Sequence, residues 1–259
     1  MNYGFYLSTA GTITGMRRLD TVSNNLANST TVGFKADILS TRARLPENIE
    51  NGGSVADTNG MLDALGGGTL FNPSEIDLSQ GALETTGNAL DVAIEGDGFF
   101  VLEAPANAPK GDKFLTRAGH FARDTQGRLV LATNGQPVLD DQGQAIVLPE
   151  NPANLRIDRD GTLRNGDDEF ARLGVVMPAD IRSLKKEGRD MIRLIGGRTA
   201  PVPADTIVHQ NHLEQSTVDP VLTLAELVKV SRGIDFSMRM MQAHDQMTGR
   251  LIDTFGRFS

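Results

Sequence analysis

All eleven prolines of this chain lie between Pro46 and Pro220, and the two ends hold none. A proline inside a helix removes a backbone donor and clashes with the preceding turn. Long helices are therefore open to the ends of the chain and closed to most of its middle. The distribution predicts two helical termini around an irregular or β-rich centre.

Both ends carry the matching pattern. In residues 3–27, Tyr6, Ala10, Ile13, Met16, Leu19, Val22 and Leu26 recur at steps of three and four, which is one face of a helix. Gly11 and Gly15 each cost about 1 kcal/mol relative to alanine, so this helix needs a partner. Residues 219–259 begin with Asp219 as a candidate cap and Pro220 at a first helical position. Leu224, Leu227, Ser231, Ile234, Met238, Met241, Asp245, Thr248, Ile252 and Phe255 then alternate by three and four, a heptad seam. Val230, Met241, His244, Leu251 and Phe258 widen its apolar face, which implies more than one neighbour.

Between them, Ala36–Leu45 fits helix or strand. Residues 46–73 are rich in Gly, Asn and Asp and read as a linker or functional loop. Residues 76–175 alternate short apolar runs with glycine-containing turns, the pattern of a sandwich or barrel. Within them, Leu90–Ile94, the turn Gly96-Asp97-Gly98 and Phe99–Leu102 read as a hairpin. In residues 176–218, strands are expected near Leu173–Met177, Met191–Ile195 and Ile207–Val208, with a short helix in Pro178–Lys186.

Charge and composition exclude several roles. The net charge is −8, yet residues 1–45 hold five basic and two acidic side chains and residues 219–259 hold five of each, so 46–218 carry −11. An acidic surface of this kind disfavours nucleic acid. Cysteine is absent, which removes disulfides and thiolate metal sites, and no apolar run is long enough to span a membrane. Tryptophan is absent too, so a modest aliphatic core is expected. The first ten residues lack the basic and apolar regions of a cleaved secretory signal.

No chemistry-bearing constellation stands out. His209 and His212, three apart, would share a helical face, but no third ligand is near in sequence. Gly66-Gly67-Gly68 lacks the Lys-Ser or Lys-Thr of a phosphate loop. Ser183-Leu184-Lys185-Lys186 has no companion motifs, and Asp158–Gly161 is a turn without calcium-loop spacing. Met238, Met240, Met241 and Met247 at helical spacing read as packing. No catalytic, cofactor or metal residue is nominated. A secreted hydrolase with helical extensions is the competing class.

The N-terminal stripe closes on Asn24-Asn25-Leu26-Ala27-Asn28, then Gly33-Phe34-Lys35. Three asparagines in five residues make a poor helix interior, and Gly33 offers the positive φ that ends a helix. This string resembles the N-terminal signature of the bacterial flagellar basal-body rod and hook proteins. Gln80-Gly81-Ala82-Leu83, Thr86-Gly87-Asn88, Gly96-Asp97-Gly98-Phe99-Phe100 and Thr116-Arg117-Ala118-Gly119 follow in the order of that family, and Leu213-Glu214, Ser216, Val218 and Pro220-Val221 resemble its C-terminal signature. The proximal rod branch is the most similar, with the distal rod branch or a hook-type axial protein as the alternative.

The resemblance implies an α+β chain whose terminal amphipathic helices form a coiled-coil-like D0 region flanking an all-β, sandwich- or barrel-like middle. The expected division is 1–45, 46–75, 76–215 and 216–259. It implies a non-enzymatic subunit of the torque-transmitting rod in the basal body, exported by the flagellar type III apparatus and without a cofactor. Its partners are other copies and other axial proteins, with no nucleic acid and no membrane insertion. The residues expected at subunit interfaces are Ile13, Leu19, Val22, Asn24, Asn25, Leu26, Asn28, Gly33, Phe34, Leu227, Ile234, Met238, Met241, Ile252 and Phe255. The helices are expected to be poorly ordered in the monomer and to fold on assembly.

Overall fold

The computed structural model describes residues 3–43, 68–72, 74–149 and 155–256, with the side chains of 3–7 and 251–256 left outside the description. The triplet Gly66-Gly67-Gly68, except for Gly68, and most of the 46–73 segment lie outside the described residues. The chain divides into two compact units. One comprises Met1–Ala27, Asp37–Glu75 and Asp219–Ser259, the other Asn28–Ala36 and Ile76–Val218.

The first unit is built on two helices, α1 (Tyr3–Ala27) and α2 (Pro220–Gly256). Asp219 caps α2, its Oδ1 accepting the backbone N–H groups of Val221 (2.8 Å) and Leu222 (3.1 Å). This satisfies donors that the first turn cannot pair internally. α1 ends at Ala27, so Gly33 is not its terminator; its positive φ serves a different contact, described below. Thr41–Ala43 pairs antiparallel with Thr69–Phe71, so both edges of the long Gly-rich segment are strand. The Arg17 guanidinium of α1 lies 4.9 Å over the Phe71 ring.

The second unit is mostly β. Its largest sheet has the order Leu184–Glu187, Met191–Leu194, Lys113–Thr116, Phe99–Leu102, Val175–Pro178, Thr199–Ala200, with every pairing antiparallel. A three-stranded meander follows Leu155–Ile157, Thr162–Asn165 and Asp168–Arg172. Three further strand pairs complete the unit: Phe121–Arg123 with Leu129–Leu131, Val92–Glu95 with Ile207–Gln210, and Leu83–Thr85 with His212–Glu214.

Three expectations are corrected here. Val92–Glu95 and Phe99–Leu102 do not form a hairpin with each other; the first pairs with Ile207–Gln210 and the second sits between Lys113–Thr116 and Val175–Pro178. All four residues of Phe99–Leu102 are buried, so both faces of that strand are covered. A continuous apolar run of this kind is a central strand and needs a neighbour on each side. The helix expected in Pro178–Lys186 is one 3-10 turn, Ile181–Ser183, capped by Asp180, after which Leu184–Glu187 runs as a strand. The core is also not purely aliphatic. Phe100, Phe114 and Phe121 join Val92, Ile94, Leu129, Leu131 and Leu163 in the main cluster, with Phe100 and Phe121 edge to face at 5.2 Å.

Candidate assembly surface and the clamp behind it

The two helices run antiparallel. Gly11 of α1 faces Ser237 of α2, Gly15 faces Ile234, and Arg18 donates to Glu226. A methyl group placed on Gly15 would lie 2.6 Å from Ile234 Cγ1, so the glycine is what lets that isoleucine approach. The helix-propensity cost read from the sequence thus has a packing cause. The terminal helices therefore pair with each other within one chain.

The buried line of α2 is rotated by one position from the expected seam. Leu227, Ile234, Met241 and Thr248 are buried or half-buried as the heptad predicts. Between them Val230, Ser237 and His244 turn inward, while Leu224, Met238 and Asp245 are exposed. On α1, Val22 is buried and Leu19 and Leu26 are half-buried, but Ile13 is 51% exposed. Ile252 and Phe255 continue α2 with side chains outside the described residues.

The helices consequently keep a large apolar surface in water. Ile13 and Met16 on α1, and Val221, Leu222, Leu224, Val228, Phe236, Met238, Met240 and Met247 on α2, are all at least 40% exposed, with Phe236 at 66%. Scattered apolar residues on a surface are ordinary; so many on two paired helices make a candidate interaction surface. Of the methionines that read as packing in the sequence, Met238, Met240 and Met247 lie on this outward surface, while Met241 is half-buried.

The polar members of the N-terminal signature have intrachain roles. The buried Asn25 clips the backbone of Asp37 at both ends: its Nδ2 donates to Asp37 O (2.9 Å) and its Oδ1 accepts Asp37 N–H (3.0 Å). Asn24 is exposed, and Asn28 is buried, its backbone oxygen accepting Thr31 N–H at 3.1 Å.

Within the second unit, the segment after α1 meets the strand that leads toward α2. Gly33 N–H donates to Glu214 O (2.7 Å), Thr217 N–H donates to Phe34 O (3.1 Å), and Ala36 N–H donates to Thr217 Oγ1 (2.9 Å). Gly33 has φ +66°, and a Cβ there would lie 2.6 Å from Ala118 Cα, so conformation and space both require glycine. Phe34 is buried beneath the Lys186 ammonium, 4.0 Å from its ring centroid.

Under these backbone bonds lies a buried ion triad that the sequence reading did not nominate. Glu214 takes Lys35 Nζ on one carboxylate oxygen (2.6 Å) and Arg117 Nη1 on the other (3.2 Å), with all three side chains at most 3% exposed. Gly81 N–H adds a third donor to the carboxylate at 2.8 Å. The second cation is balanced by carbonyls: Lys35 donates to Ser79 O (2.6 Å), and Arg117 to Ile94 O and Gly96 O. Burial pulls the Lys35 ammonium below the ordinary lysine range, opposed by Glu214 and reinforced by the neighbouring Arg117. Burial acts on Arg117 in the same direction, again opposed by Glu214.

The other candidates resolve into structure. His209 and His212 lie on strands, so the shared helical face does not exist; His209 Nε2 is 2.6 Å from Glu95 Oε2, and His212 Nε2 is 3.2 Å from Thr85 Oγ1. Among the described residues no cluster of three or more His, Asp or Glu could hold a metal ion. Ser183 Oγ donates to Asp180 O within its turn. A cavity of about 420 Å³ is lined by Asp141, Arg159, Asp160, Arg172 and the Val202–Ala204 turn, with no His, Cys or Lys in its wall.

Comparison with known proteins supplies the family. Three family models match in order: the flagella basal body rod protein model over residues 9–35, the flagellar hook protein FlgE/F/G D1 domain model over 93–165, and the flagellar basal body rod FlgEFG protein C-terminal model over 209–254. The chain is 30% identical over 260 residues to flagellar basal-body rod protein FlgF of Caulobacter vibrioides, covering 100% of both chains.

The chain belongs to the flagellar basal-body rod protein family.

FlgF of Mesorhizobium japonicum is 28% identical, with 99% of each chain covered, and the rod protein FlgG of Bacillus subtilis is 29% identical, covering 93% of this chain and 96% of its own. Lys35, Arg117 and Glu214 fall one in each of the three regions matched by the rod-family models. These relatives are flagellar basal-body rod proteins by name.

Proposed function

We infer that this chain is a structural subunit of the flagellar basal-body rod, on the proximal, FlgF-like branch, and that it works by cohesion through its terminal helices. The supporting observation is the apolar surface that α1 and α2 leave exposed after packing on each other. Burying it against other subunits removes it from water at roughly 25 cal/mol per Å². Repeated contacts that do not close generate a helical shaft. In this reading Ile13, Met238 and their exposed neighbours meet other subunits, the remaining seam residues complete a coiled-coil-like packing with them, and the β part is a sandwich- or barrel-like body within 76–215. The partners are other copies and other axial proteins. The subunit reaches the basal body through the flagellar type III export apparatus.

The distal, FlgG-like position is the second reading, favoured by the coverage of the Bacillus subtilis FlgG match. Imaging basal bodies from a strain deleted for this gene separates the two. Loss of density at the base of the shaft supports the proximal position, loss farther out the distal one, and an intact rod would overturn both.

A further inference from the structure

We propose that Glu214 is a mechanical tie, a positioning residue that holds the two chain segments leading to the terminal helices to each other and to the β body. Residues 28–36 continue from α1 and residues 212–218 lead into α2. Both belong to the β-rich unit. Four connections converge on Glu214. Its backbone oxygen takes Gly33 N–H, one carboxylate oxygen takes Lys35 and Gly81 N–H, and the other takes Arg117, on the loop after Lys113–Thr116 of the large sheet. Gly33–Ala36 and Thr217 then zip together through the Thr217–Phe34 and Ala36–Thr217 bonds.

This geometry suits transmission of force. A pull on either segment is passed to the other through short bonds around one buried carboxylate, and to the sheet through Arg117. A charge pair out of water is also severely penalised when one member is removed, so the tie has no half-open state of low cost. A stabilising core contact alone would need no link between these two segments; apolar packing of the kind found around Phe100 would serve. The force-bearing consequence rests on the rod reading, whereas the tie itself is a property of the single chain.

The test is amide hydrogen exchange on the full chain, wild type against Lys35→Met and Glu214→Gln. Lys35→Met keeps the Glu214–Arg117 pair and so keeps the fold. The tie predicts at least tenfold faster exchange at Gly33 and Thr217 in Lys35→Met, with protection at Leu115 and Leu131 unchanged. Glu214→Gln should free the same amides and also Gly81. Unchanged exchange at Gly33 and Thr217 in Lys35→Met, or acceleration spread evenly over the whole β unit in that variant, would overturn the proposal. In cells, Lys35→Met should restore rods to the deletion strain but fail earlier than wild type as medium viscosity rises. If wild type itself restores nothing, the rod reading fails and the exchange result still stands.

Discussion

Two alanine substitutions on the same helix should have opposite effects. Replacing glycine by alanine in a helix interior gains about 0.8–1 kcal/mol of propensity. At Gly11 the new methyl meets Ser237 Oγ at 3.5 Å, an ordinary contact, so Gly11→Ala should stabilise the helix pair by nearly that whole amount. At Gly15 the methyl meets Ile234 Cγ1 at 2.6 Å and Cδ1 at 3.4 Å. Ile234 is buried and β-branched, so it cannot swing away without leaving its rotamer or separating the helices. Overpacking of this sort costs roughly 1–3 kcal/mol. Gly15→Ala should therefore be destabilising by up to about 2 kcal/mol after the propensity gain is subtracted. The assay is urea unfolding followed by circular dichroism at helical wavelengths, where α1 and α2 dominate a chain whose remainder is mostly β. Removing Ile234 beyond Cβ tests the cause: in an Ile234→Ala background, Gly15→Ala should become stabilising. Equal gains from Gly11→Ala and Gly15→Ala, or a Gly15→Ala effect indifferent to residue 234, would refute the packing argument.

Other outcomes follow from the same geometry. Asn25→Ala strips both side-chain bonds from the backbone of Asp37 and should cost about 1–3 kcal/mol, read by urea unfolding of the first unit. Lys35 fixes a pH dependence. Its folded value lies below the ordinary 10.5, so in the window beneath 10.5 the unfolded chain holds a proton that the folded chain has released. Stability of wild type relative to Lys35→Met should then rise as pH increases through that window, and a fall would contradict the burial argument. A double variant, Ile13→Asp with Met238→Asp, touches only exposed positions, so monomer stability should change by about 0.5 kcal/mol or less while rod assembly and swimming are lost.

The sequence exposed the helices because proline exclusion and 3.6-residue periodicity are local properties, and α1 and α2 end close to where those signals stop. The face each helix buries was less legible. The heptad count favoured Met238 and Leu224, but Ser237 turns inward against Gly11 in place of Met238, and that rotation depends on a partner some 220 residues away. Strand positions were readable from turn glycines, whereas pairing was not, since nothing local says that Val92–Glu95 will choose Ile207–Gln210 over the run just after it. The ion triad escaped for the same reason. Lys35 and Glu214 stood in recognisable strings, yet their charges look like surface residues until the fold brings positions 179 apart to 2.6 Å. The absence of tryptophan also says little about the core, because Phe100 and Phe121 come together only in three dimensions.

Because the chain has no cysteine, single thiols report burial cleanly. The most direct test is thiol labelling of Ile13→Cys, Phe236→Cys and Met238→Cys in intact basal bodies and in dissociated subunits. If the exposed helical surface is what other axial subunits cover, all three will react readily in the free subunit and be protected in the intact rod. Equal labelling in both states would show that the shaft is held together by some other part of the molecule.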